Sequence, residues 1–253
     1  MRETTPPSGI AEWTLLESHD AIDFSCHRAL SCFNACCHDL NQFLTPYDIL
    51  RLKNRLALPS GVFLKQYTSI HTGPRSGMPV VSLKPRPAST APCPFVTDSG
   101  CAVYEDRPSS CRAYPLARVV SRDRDTGAVR EGYFLIEESH CLGFGQENSV
   151  SISKWVARQG LEAYNTCNDL FLEVVALKNR AKPGPISSGH ADVFVLGCYD
   201  LDRFRDCALR GDLPGPADIL DAVRATPGKD QEGALLKLGL RWASFMICEE
   251  PVP

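Results

Sequence analysis

Apolar and polar residues alternate differently in the two halves of the chain. From 161 to 180, Leu161, Tyr164, Leu170, Phe171, Val174, Val175 and Leu177 fall at spacings that gather them on one helical stripe, so a long amphipathic helix is predicted there. Lys182-Pro183-Gly184-Pro185 ends it, because proline lacks an amide donor and clashes with the preceding turn. Two more helices are predicted at about 190–210 and 231–247, joined by the proline- and glycine-containing GDLPGPAD and ATPGKD. Earlier in the chain, Thr45-Pro46-Tyr47-Asp48 supplies a capping hydroxyl, a proline suited to the first helical position and an acid three residues after the cap. With Ile49, Leu50, Leu52 and Leu56 following, a helix is predicted over about 46–57. A shorter one begins near Ser60 with Val62, Phe63 and Tyr67, and Ser153 is placed as the cap of a third that carries Trp155 and Val156.

Between these helices the pattern is short and interrupted. Val80 to Leu83 reads as a strand bounded by GPRSGMP and KPRPASTAPCP, and further strands are predicted at Ala102 to Tyr104, Leu116 to Ser121 and Gly132 to Ile136. The last two flank the turn-like Asp125-Thr126-Gly127, which implies a small antiparallel sheet. The predicted class is α+β: a small cysteine-rich region with short antiparallel strands, packed against a helical C-terminal part.

Composition sharpens this division. The chain of 253 residues holds 12 cysteines, enough length to bury a core without crosslinks. Eight of them, Cys26, Cys32, Cys36, Cys37, Cys93, Cys101, Cys111 and Cys141, precede residue 142, and only Cys167, Cys198, Cys207 and Cys248 follow. The N-terminus has no basic stretch leading into an apolar one, and no segment approaches the apolar length of a membrane span. A cytoplasmic location is therefore expected, where clustered thiols serve as metal ligands or redox groups in preference to disulfides. The formal charge of −3 gives no basic excess for nucleic acid.

Four thiols within twelve positions, Cys26 to Cys37, bring soft ligands together at small loop-closure cost, as both zinc and iron–sulfur sites require. Adjacent Cys36 and Cys37 are expected to point apart and not to chelate one ion side by side. Prolines on both sides of Cys93, and Ser99-Gly100 before Cys101, favour turns that hold the sulfurs in place. The chain has no Cys-x-x-Cys pair, which argues against a zinc ribbon or a thioredoxin-type centre. His27, His38, Tyr104, Glu105, Arg107, Arg112, Tyr114 and His140 sit beside the sulfurs, and the arginines are placed to offset thiolate charge. The late cysteines read as core filler, with Cys167 the one candidate to face the metal region. No Walker loop, HExxH, GxSxG or complete dinucleotide fingerprint is present, so no catalytic machinery is visible.

These residues resemble the YkgJ-type cysteine-cluster family, the zinc- or iron-chelating CxxCxxCC domain. The resemblance is carried by Cys26, Cys32, Cys36-Cys37, Pro92-Cys93-Pro94-Phe95, the run from Gly100-Cys101 through Tyr104-Glu105-Asp106-Arg107-Pro108 to Cys111-Arg112-Ala113-Tyr114-Pro115, and His140-Cys141. It divides the chain into an N-terminal segment 1–23, a cysteine-cluster metal-binding domain 24–145 and a helical region 146–253, while Tyr199 to Phe204 and Leu236 to Trp242 look like a longer bacterial variant. The gaps in the first cluster are five and three residues where the family's title has two and two. The resemblance implies metal held by the eight early cysteines. A flagellin lysine methylase is similar in its cysteine cluster and is associated with a four-iron cluster, which tilts the expected cofactor toward 4Fe-4S iron–sulfur, with zinc the alternative. The function expected is redox chemistry or protein modification on a protein partner or substrate, set against a structural zinc module or metal storage and delivery.

Overall fold

Residues 15–122, 129–226 and 231–252 are described by the computed structural model. Their contacts form two units, one drawn from Met1–Cys36 and Ser110–Glu162, the other from Cys37–Ser109 and Ala163–Pro253. Each unit is thus assembled from stretches far apart in sequence. The observed class is α+β, with short antiparallel strand pairs and a helical second half.

The first unit is built on strands. Leu116–Arg122 pairs with Val129–Leu135, and Leu15–Leu16 adds to the far edge of the latter. The predicted pair is therefore present, although its turn at Asp125-Thr126-Gly127 lies outside the described residues. A second pair joins Ala21–Phe24 to Phe144–Ser151, with a register shift between Asp23 and Phe24. Alternation in the first of these strands turns Ile22 and Phe24 inward and leaves Ala21 and Asp23 exposed. The inward side chains join Leu116, Tyr133, Val150 and Ile152 in one small core. Phe24 is its hub, with ring centroids 5.7 Å from Tyr114, 5.1 Å from Phe144 and 5.6 Å from Trp155. A Cβ on Gly143 would fall 2.5 Å from Phe24 Cε2, so only glycine lets the chain pass this ring. The helix here spans Ile152–Arg158 and is capped by Ser151, whose hydroxyl accepts the Lys154 amide, two residues before the serine expected from sequence.

The second unit is mostly helical. Helix Pro46–Arg55 has the predicted capping box, with Thr45 and Asp48 each accepting the other's amide. Asp48 is fully buried and also accepts the Ser109 amide at 2.7 Å, which fixes the segment leading into helix Ser109–Ala113. Helix Ser60–Tyr67 runs into strand Thr68–Thr72, which pairs with Pro79–Leu83. Leu161–Ala181 and Glu232–Cys248 form close to expectation. The run predicted as one helix over 190–210 is two, Ser188–Cys198 and Leu201–Arg210. The break has a local cause: Asp200 accepts the Ser60 hydroxyl at 2.6 Å and Asp202 accepts the Ser60 amide at 2.7 Å, capping the start of another helix. A helix at Ala217–Ala225 occupies what was read as a joint, burying Ile219, Leu220 and Val223. Among the described residues, no helix is long and apolar enough to cross a membrane.

Inside this unit Lys53 Nζ lies 2.7 Å from Glu232 Oε1, with side-chain exposures of 3% and 4%. Removing one partner strands a buried charge, which typically costs about 3–5 kcal/mol. Lys53→Met is expected to lower the unfolding free energy in urea by about 3 kcal/mol. By contrast, Arg210→Ala, which removes an exposed pair with Asp212, should leave the urea midpoint unchanged.

Candidate metal centre

The segment bearing the first four cysteines has little regular structure. Turns close it, from the Leu30 amide to His27 O, Phe33 to Leu30 O and Ala35 to Cys32 O, and it ends in a 3₁₀ turn at Ala35–Cys37. Asn34 and Asp39 have positive φ, 69° and 52°, a conformation their short polar side chains tolerate better than most. The Cys26 end is fastened by the Ser25 amide donating to Gly143 O at 2.9 Å, one step beyond the pairing of Phe24 with Phe144. The Leu142 amide donates to Cys32 Sγ at 3.3 Å. One backbone bond and one amide-to-sulfur bond thus tie the Cys26–Cys32 segment to the segment holding Cys141.

Tyr114 adds a third group to this neighbourhood. Its hydroxyl faces the Cys141 side chain, and burial, reinforced by that sulfur, pushes its pKa well above the ordinary phenol value. Cys111 lies three residues earlier, on helix Ser109–Ala113. Cys26, Cys36 and Cys111 are exposed, and Cys32 and Cys141 are partly buried.

The second unit holds Cys37, Cys93 and Cys101. The Cys93 amide donates to Cys37 O at 2.7 Å, and the adjoining Asp39 and Leu40 amides donate to Thr90 O and Ala91 O, so 37–40 runs beside 90–93. Val96–Thr97 and Gly100–Cys101 then form a tight hairpin, with Val96 opposite Cys101. Its corner takes φ of 115° at Gly100, a value open to glycine and strained for other residues. Burial raises the pKa of Cys93; the Phe95 and Val96 amides and Arg86 counter this, and nearby Cys101 adds to it.

The eight predicted ligands therefore fall into two sets, Cys26, Cys32, Cys36, Cys111 and Cys141 in one unit and Cys37, Cys93 and Cys101 in the other. The boundary passes between the adjacent Cys36 and Cys37. Among the described residues, no three His, Cys, Asp or Glu side chains form a ready metal-binding group. What the fold supplies is backbone convergence of segments, Cys26 and Cys32 with Cys141 and Cys37 with Cys93, together with the mutual proximity of Cys93 and Cys101.

Other residues near the sulfurs have defined partners. Arg107 sits 3.9 Å over the Tyr104 ring and donates to Tyr104 O, and Arg112 donates to Gln159 O. Asp106 accepts two bonds from Arg51 at 2.8 and 2.5 Å. His38 contacts Thr90 Oγ1 at 3.2 Å, and His140 lies 3.6 Å from Glu138. Cys198 is wholly buried in the helical core and Cys167 packs against it, and burial raises the pKa of both.

The donors aimed at sulfur, Leu142 and the Phe95 and Val96 amides, escaped sequence reasoning because backbone amides leave no residue-type signature. Only the prolines around Cys93 hinted at a shaped turn. Such donors suit the chemistry of a thiolate-bound metal, whose sulfurs retain negative charge and accept hydrogen bonds.

Exposure and pKa set an expected order of reaction for the metal-free, reduced protein. With iodoacetamide at neutral pH, Cys26, Cys36 and Cys111 should be alkylated first, Cys93 later and Cys198 last, as read by peptide mass spectrometry. Because burial raises the Cys93 pKa, its rate should climb as pH rises toward and past the ordinary thiol value.

Residues 25–142 match the family model CxxCxxCC, described as "Putative zinc- or iron-chelating domain". No curated protein matches the chain, and no solved structure does. The match spans all eight early cysteines and no later one, so the stretch 25–142 is similar to a zinc- or iron-chelating domain.

Proposed function

We propose that the chain is an iron–sulfur protein in which thiolates drawn from Cys26, Cys32, Cys36, Cys37, Cys93, Cys101, Cys111 and Cys141 hold a four-iron cluster. The carrying observation is the Leu142 amide donating to Cys32 Sγ, because it joins cysteine segments from opposite ends of the domain through a bond to sulfur itself. Hydrogen bonds to sulfur are among the levers that set a cluster's reduction potential. The absence of Cys-x-x-Cys also favours this reading over a zinc ribbon.

When bound, such a cluster supplies one-electron transfer. The chain's own groups orient the sulfurs: Ser25 and Gly143 fix the approach to Cys26, the Leu142 amide points at Cys32 Sγ, and the Phe95 and Val96 amides favour charge on Cys93. The proposed role is redox chemistry or protein modification in the cytoplasm, on a protein partner or substrate. A zinc reading has one observation in its favour. The segment 26–37 is held mainly by single turns, and a structural ion would stabilise such a segment directly.

Anaerobic purification followed by metal and sulfide analysis separates the two. The iron–sulfur reading expects a coloured protein with acid-labile sulfide; a colourless protein with stoichiometric zinc defeats it. Cys32→Ser should lose most of the bound metal, whereas Cys207→Ser should retain it.

A further inference from the structure

Tyr114 is a buried donor not used by the reading above. Its hydroxyl oxygen is sealed from water and meets no neighbour at full hydrogen-bond geometry among the described residues. The groups that face it are the Cys141 side chain and the backbone and carboxylate of Glu138. A buried hydroxyl whose bond is incomplete has given up water without replacement, so a fold that keeps one there needs a compensating state. A thiolate at Cys141 provides that state, because anionic sulfur accepts an O–H bond far better than a neutral thiol does.

The ring is held in a fixed place. It meets Phe24 edge-on at 5.7 Å, and Phe24 is wedged against Phe144 and Trp155. Trp155 Nε1 in turn donates to Ala113 O at 3.1 Å, anchoring the backbone just before Tyr114. Cys141 is placed from its own side by its amide bond to Glu138 O at 2.9 Å. The aromatic core of this unit therefore delivers a rigid hydroxyl to one sulfur.

We infer that Tyr114 is a positioning residue of the metal site, donating its hydroxyl to the Cys141 thiolate when metal is bound and slowing metal loss. This rests on the metal-binding reading but not on the identity of the metal. Its product is the same thiolate donor set with one sulfur less basic and more firmly oriented. Outer-shell partners of this kind are typically worth about 10–100-fold in metal affinity.

The test compares wild type, Tyr114→Phe and Cys141→Ser as full-length proteins carrying the metal with which they purify. Tyr114→Phe removes only the oxygen and retains the ring that packs on Phe24. It is expected to keep wild-type metal stoichiometry and circular dichroism but to release metal to excess chelator roughly ten-fold faster. The sulfur-to-metal absorption should shift in the iron form, or in the Co(II)-substituted form if zinc is native, a signature that loss of packing alone would not produce. Cys141→Ser should release metal faster still. Release and absorption unchanged in Tyr114→Phe overturn the inference, as does faster release without a spectral shift or Cys141→Ser behaving as wild type. If native zinc replaces iron while Tyr114→Phe still weakens retention, the cluster proposal falls and this inference stands.

Discussion

The arrangement depends on backbone hydrogen bonds that return the first cysteine segment to later parts of the chain. Ser25 to Gly143 closes one unit and Cys93 to Cys37 closes part of the other. Neither involves a side chain, so the peptide groups carry the geometry. The glycine at 143 follows from the same constraint, since the chain must pass the Phe24 ring to reach its partner.

Thiolates crowded into a fold repel one another and resist losing their protons. The protein answers with donors instead of acids: the Leu142 amide at Cys32, the Phe95 and Val96 amides at Cys93, and a phenol facing Cys141. Arg86 adds positive charge near Cys93. A metal cation would complete the charge balance, in keeping with the similarity of residues 25–142 to a zinc- or iron-chelating domain.

Local signals were legible in the sequence. Thr45 and Asp48 announce a helix because both halves of a capping box lie within four residues, and the paired strands Leu116–Arg122 and Val129–Leu135 lie close together in sequence. The pairing of Ala21–Phe24 with Phe144–Ser151 was not legible, because each strand is short and its partner lies some hundred and twenty residues away. The break between Cys198 and Leu201 was hidden for a related reason: Asp200 and Asp202 are drawn to Ser60, a contact that no pattern in their own segment reveals. Of the candidate site, the crowding of eight cysteines before residue 142 was readable from spacing. The amides that aim at sulfur were not, since every residue but proline carries one.

The central claim is that the bound metal is surrounded by sulfur. X-ray absorption at the metal edge of the anaerobically purified protein measures this directly. The account predicts a first shell of sulfur scatterers at about 2.3 Å; a shell dominated by oxygen or nitrogen at about 2.0–2.2 Å would contradict it.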